Sequence, residues 1–127
     1  MQTVNVKTSQ KEELIDITHL IQDVVKKSGM RDGICTVFVP HTTAGVTINE
    51  NADPDVRSDI IKGLKIIPEH GFRHIEGNSP AHIKASLIGS SQTIIIQNGK
   101  LSLGTWQGIY FAEFDGPRTR KVWVDVR

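Results

Sequence analysis

"QTIIIQNGKLSLGTWQGIYFAEFDGPRTRKVWVDV", residues 92–126, decides the fold. The β-branched run Thr93-Ile94-Ile95-Ile96 makes "QTIIIQ" read as a strand, and Asn98-Gly99 follows Gln97 directly. Asparagine and glycine both tolerate the positive φ of a two-residue hairpin, so the chain should turn straight back. "SLGTWQGIYFAEF" and "TRKVWVDV" read as two further strands joined by "DGPR".

Working outward, "GICTVFVP" (33–40) and "AGVTINE" (44–50) also read as strands, with "HTT" (41–43) between them. "TVNVKT" alternates apolar and polar residues as a half-buried strand does, and "ELIDI" is expected to pair with it. Helices interrupt the strands. Thr18 is the expected cap of the first, which carries Leu20, Ile21, Val24 and Val25 on one face and meets Gly29 at its end. Asp53-Pro54 opens a second, with Val56, Ile60, Ile61 and Leu64 as its apolar stripe. Ser79-Pro80 opens a short third over 81–88, stopped by Gly89, with Ser79 as its cap. Interspersed helices and hairpin-linked strands make an α+β chain with mainly antiparallel sheets, expected as one domain over residues 1–127. A length of 127 residues with 38% apolar content allows a normal core.

Lys plus Arg number 15 against Asp plus Glu 14, for a formal net charge of +1. That balance makes no electrostatic case for nucleic acid or an anionic membrane as partner. Arg118, Arg120, Lys121 and Arg127 gather near the end, as a solvated face or a local anion site. The lone Cys35 excludes an internal disulfide and a cysteine-cluster zinc site, and its apolar neighbours make it a small buried thiol. With no signal-peptide layout and no membrane-spanning run, a soluble cytoplasmic protein is expected. No phosphate-binding glycine loop in a strand-to-helix setting and no nucleophile elbow is found. Trp106 and Trp123 fall in strand patterns, where packing is their expected role.

Chemistry is left to a few polar residues. His19, in a helix's first turn, and His70, in a turn, read as surface residues. His41, His74 and His82 each end an element among small polar residues. Three histidines with an open position suit a catalytic metal site, although their irregular spacing fits three separate loop histidines as well. The third helix start, with its free N–H groups, is a candidate anion site. Asp53 and Asp55 are explained by the helix they begin. Glu50, beside Asn49, is less easily explained by structure. "EFDGPR" adds Glu113, Asp115 and Arg118 at an aspartate-glycine turn that structure does explain, yet Arg118 just beyond it offers a guanidinium fork to a phosphate.

Four segments, "HTTAGVTINENADPDVRSD", "HIEGNSPAHIKASLIG", "GKLSLGTWQGIY" and "EFDGPRTRKVWV", resemble the YjbQ family of secondary thiamine-phosphate synthases. The resemblance implies two packed β-sheets with two to three helices, assembled as a homotrimer with a polar cleft at the subunit boundary. It places in that cleft His41, Thr42, Thr43, Asn49, Glu50 and Asp53. From the later segments it adds His74, Glu76, Asn78, Ser79 and His82, then Glu113, Asp115 and Arg118. By the same resemblance His41, His74 and His82 hold a divalent metal, zinc or magnesium. The implied reaction joins hydroxymethyl-pyrimidine diphosphate to thiazole phosphate, with release of pyrophosphate. Arg118 and the N–H groups of Ala81 and His82 are expected to meet the leaving group's charge, with Glu50, Glu76 and His82 as proton carriers or metal supports. Thr42, Thr43, Asn49, Asn78, Ser79 and Asp115 would bind the substrate. A metal-dependent hydrolase of a phosphorylated metabolite and a non-catalytic trimeric binding module stay open beside the synthase.

Overall fold

The computed structural model describes all residues, Met1–Arg127. Its strands are β1 (Gln2–Lys7), β2 (Glu13–Asp16), β3 (Gly33–Phe38), β4 (Ala44–Glu50), β5 (Ser91–Gln97), β6 (Lys100–Leu101), β7 (Gln107–Glu113) and β8 (Thr119–Val126). They form two antiparallel sheets, one in the order β1-β8-β3-β5-β6 and one in the order β2-β7-β4. The helices are α1 (Thr18–Ser28), α2 (Pro54–Gly63) and α3 (Ser79–Ile88), with a 3₁₀ turn at Leu64–Ile66.

The larger core lies between the sheets. Val37, Val122 and Val124 from the five-stranded sheet meet Val46, Ile109 and Phe111 from the three-stranded one, and Ile21 and Val25 of α1 close it. A smaller core covers the opposite face of the three-stranded sheet, where Leu14, Tyr110, Ala112 and Phe114 pack on Ala81 and Ala85 of α3. β7 is therefore buried on both faces, which explains its unbroken apolar run Ile109-Tyr110-Phe111-Ala112. The outer face of the five-stranded sheet has no such cover, and Ile34, Phe38, Ile95 and Trp123 are exposed there. The stripe of α2 is only half-buried, and no residue of that helix is fully enclosed.

Local signals act as expected where they are purely local. Asn98 and Gly99 take φ of 53° and 76° and join β5 to β6. Gly29 ends α1 in the left-handed conformation. The Asp53 carboxylate accepts the Asp55 N–H at 2.9 Å, with Pro54 as the first helical residue.

Long-range pairing departs from the sequence reading. β1 and β2 do not pair: β1 lies on β8 and β2 on β7. "DGPR" is no hairpin, because β7 and β8 belong to different sheets; only β5 and β6 form one. The strand expected from residue 102 begins at Gln107, since Gly104 to Gln107 turn back and leave Trp106 exposed. Thr18 is not the cap of α1. Asp16 accepts the Thr18 N–H at 2.9 Å, while the Thr18 hydroxyl is taken by the Ile109 amide of β7. Ser79 is not the cap of α3 either: the helix starts at Ser79 and Asn78 holds the cap position.

Candidate functional site

Two chain crossings between the sheets build the site. Leaving β3, residues 39–43 cross to β4; leaving β7, residues 114–118 cross back to β8. Ala44 pairs with Glu113, so the crossings lie side by side. The stretch from His74 to His82, ending in the first turn of α3, supplies the facing wall. An open cleft of about 740 Å³ lies between them.

Its floor is an ion pair. Arg120 and Glu113 are 5% and 0% exposed. The Glu113 carboxylate accepts from Arg120, from the Thr8 hydroxyl at 2.7 Å and from the amides of Phe114 and Asp115. Burial alone would raise its pKa, but these donors hold it below the ordinary carboxylate value. Arg120 Nη2 also reaches the Thr43 hydroxyl at 2.8 Å. Nε and Nη2 carry all these bonds, and Nη1 is left without a partner in the chain. The basic cluster near the C-terminus is thus not wholly a solvated face. The sequence places Arg120 only in that cluster and not among the named cleft residues, although its alternation with Val122 and Val124 points it inward.

At the mouth, Arg118 is held open by its own turn. Its Nε donates to the Asp115 carbonyl at 2.7 Å and its Nη2 to the Asp115 carboxylate at 3.0 Å. Asn78 Nδ2 donates to the same carboxylate at 3.1 Å, so the Asn78 side chain serves the cleft wall and not the helix. Its buried Oδ1 has no partner. His41 takes its place through Nε2, which accepts the Lys121 amide at 2.9 Å. Burial, with Arg120 nearby, holds its pKa below the ordinary histidine value.

The cleft thus brings together His41, Thr42, Thr43, His74, Glu76, Asn78, His82, Asp115 and Arg118, with Glu113 beneath. It does not bring in Asn49, Glu50 or Asp53, which lie at or beyond the far end of β4. Ser79 borders a neighbouring depression with Lys11 and His70. The Ala81 and His82 amides both donate to the Asn78 carbonyl, so they are not the free donors the sequence reading expected. The rings of His74 and His82 meet edge-on with centroids 5.5 Å apart, and Glu76 lies 3.9 Å from His74 Nε2. No three histidine, cysteine or carboxylate side chains converge to hold a metal ion. The three-histidine set does not fit a preformed metal centre.

The family model described as "UPF0047 protein YjbQ-like" matches residues 2–127. The chain belongs to the YjbQ/UPF0047 family. Among its relatives, a UPF0047 protein of Methanocaldococcus jannaschii is 59% identical over 95% of this chain and 89% of its own. The UPF0047 protein YugU of Bacillus subtilis is 50% identical over 99% and 98%. A YjbQ/UPF0047 crystal structure from Clostridium acetobutylicum is similar at a TM-score of 0.97, with 61% identity and all of both chains covered. The α+β architecture with two antiparallel sheets is thus that of the YjbQ family. No helix of the chain is long and apolar enough to cross a membrane.

Proposed function

We propose that the chain is an enzyme acting on a phosphorylated small molecule at this cleft, as a thiamine-phosphate synthase. It would join hydroxymethyl-pyrimidine diphosphate to thiazole phosphate and release pyrophosphate. What supports this reading is a pair of guanidiniums, Arg118 at the mouth and Arg120 on the floor, lining one cleft of small-molecule size. In that reaction the carbon–oxygen bond to the diphosphate breaks, its electron pair leaving with the oxygen as pyrophosphate, and the lone pair of the thiazole ring nitrogen forms the new bond to the same carbon. Negative charge grows on the leaving oxygen, and the Nη1 groups of Arg118 and Arg120, neither bonded within the chain, meet it. Thr42, Thr43, Asn78 and Asp115 position the substrate, and Glu76 and His82 are the proton carriers within reach of the cleft. No step is assigned to zinc or magnesium, because the three imidazoles do not converge.

As partners we propose a phosphorylated small molecule and two further copies of the chain, in the cytoplasm, with neither nucleic acid nor membrane. The bare apolar face at Ile34, Phe38, Ile95 and Trp123 and the half-buried α2 favour assembly. Glu50 and Asn49 would then reach a cleft only from a partner subunit. Light scattering giving a monomer mass at micromolar concentration rules the trimer out.

The functional test is pyrophosphate release from the paired precursors by the wild type, by Arg118→Ala and by His82→Ala. Release that both variants lose supports the synthase. Phosphate release from single esters without coupling points to the hydrolase, and ligand binding without turnover to the binding module.

A further inference from the structure

The bond between His41 Nε2 and the Lys121 amide has its origin in the sheet. Odd-numbered β8 positions turn their amides toward β3, as the exchange between Arg127 and Ile34 shows. β3 ends at Phe38, opposite Trp123, so Lys121 has no strand neighbour on that side. The His41 imidazole supplies the missing acceptor at 2.9 Å. A backbone amide only donates, so the ring nitrogen facing it carries no proton. Flipping the ring would set a carbon against the amide and orphan a strand donor, which fixes the ring's orientation. In the neutral imidazole the proton then sits on Nδ1.

We infer that His41 presents a fixed Nδ1–H donor to the anionic group of a ligand in the cleft and is not a metal ligand. The ring lines the cleft, and Nδ1 has no partner within the chain. A metal at Nδ1 would need the proton moved to Nε2, directly against the Lys121 N–H. Asp115 and Glu113 already pair with Arg118 and Arg120, and the guanidinium nitrogens left over in the same cleft offer an anion N–H donors, which a metal ion cannot use. His74 and His82 contact each other instead, with Glu76 beside them. His41 therefore belongs with the arginines. Only the ligand's identity rests on the proposed function; the tautomer does not.

Long-range ¹H–¹⁵N spectra of metal-free protein at about pH 7.5, above the ordinary histidine pKa, read the tautomer directly. The expected result is a protonated Nδ1 and a bare Nε2 on His41; a proton on Nε2 overturns the inference. Zinc uptake and pyrophosphate calorimetry on His41→Gln and His41→Ala supply the second measurement. Glutamine keeps an acceptor for Lys121 and an N–H for the ligand, but is a poor zinc ligand. His41→Gln should match the wild type in zinc stoichiometry and hold pyrophosphate within about threefold, while His41→Ala weakens pyrophosphate by about tenfold. Zinc lost in His41→Gln, or pyrophosphate affinity unchanged in His41→Ala, contradicts it. A wild type that binds no pyrophosphate removes the functional reading and with it the anion half of the inference; the spectrum still decides whether His41 is a ligand.

Discussion

β4 carries a polar cluster at each end, and the two clusters use their charges differently. At the Glu50 end, the Arg57 guanidinium lies 4.8 Å from the centroid of the Tyr110 ring and donates to its hydroxyl. Tyr110 donates in turn to the Glu50 carbonyl, Asn49 accepts the Glu50 amide, and Asn51 donates to Asp16. Those groups mostly serve the chain itself. At the His41 end, Arg120 and Glu113 also satisfy each other and Arg118 pairs with Asp115, but Nη1 of Arg120, Nη1 of Arg118 and Nδ1 of His41, all from residues that line the cleft, have no partner within the chain. A polar cluster marks a site when donors are left over at a concave surface. Six residue steps of β4, about 20 Å, separate the two ends, so the residues that the family resemblance pools in one cleft are two groups within one chain.

The largest expected difference is in stability. Arg120→Met strands the buried Glu113 carboxylate and should cost about 3–5 kcal/mol in urea unfolding. Arg57→Met removes a half-buried cation–π contact and should cost about 1 kcal/mol. Equal losses would erase the distinction between the two ends. The same ion pair sets the acid response. Because the folded pKa of Glu113 is lowered from its ordinary 4.5, its contribution is whole above that value. It is lost as pH falls through the lowered folded value. Glu113→Gln should flatten the acid limb of stability against pH, and an unchanged slope would remove Glu113 as its source.

Ligand affinity comes next. Arg118→Ala should weaken pyrophosphate about tenfold by calorimetry. Arg118→Lys should weaken it less, because a point charge keeps attraction but loses the fork. Unchanged affinity in Arg118→Ala would take Arg118 out of the site. The smallest effect contrasts two helix starts. Asp53→Ala should cost about 1 kcal/mol, and Ser79→Ala less than about 0.5 kcal/mol, because only Asp53 caps. A larger loss at Ser79 would restore it as a cap.

These contrasts follow what the sequence could carry. Asn98-Gly99, Asp53-Pro54 and Gly29 act within a few residues, so their readings needed no tertiary partner. The division into two sheets depends on β1 meeting β8 and β2 meeting β7, pairings between distant segments that no local pattern announces. Of the three expected caps only Asp53 holds: Ile109, from far along the chain, claims the Thr18 hydroxyl, and α3 already includes Ser79, with Asn78 at the cap position and its side chain engaged by Asp115. Nine of the residues named for the site do line one cleft and Glu113 lies beneath it, although Asn49, Glu50, Asp53 and Ser79 do not line it. Arg120 was legible in principle, because the two-residue period of β8 places it with Val122 and Val124, but a charge in an inward position is readable only once Glu113 is known to face it.

The central claim is that an anionic ligand binds at the His41 end of β4 and not at the Glu50 end. Backbone ¹H–¹⁵N spectra recorded as pyrophosphate is added test it most directly. The account predicts shift changes concentrated at residues 41–43, 78 and 118–121, with residues 49–57 unmoved. Changes centred on residues 49–57, or none at all, would contradict it.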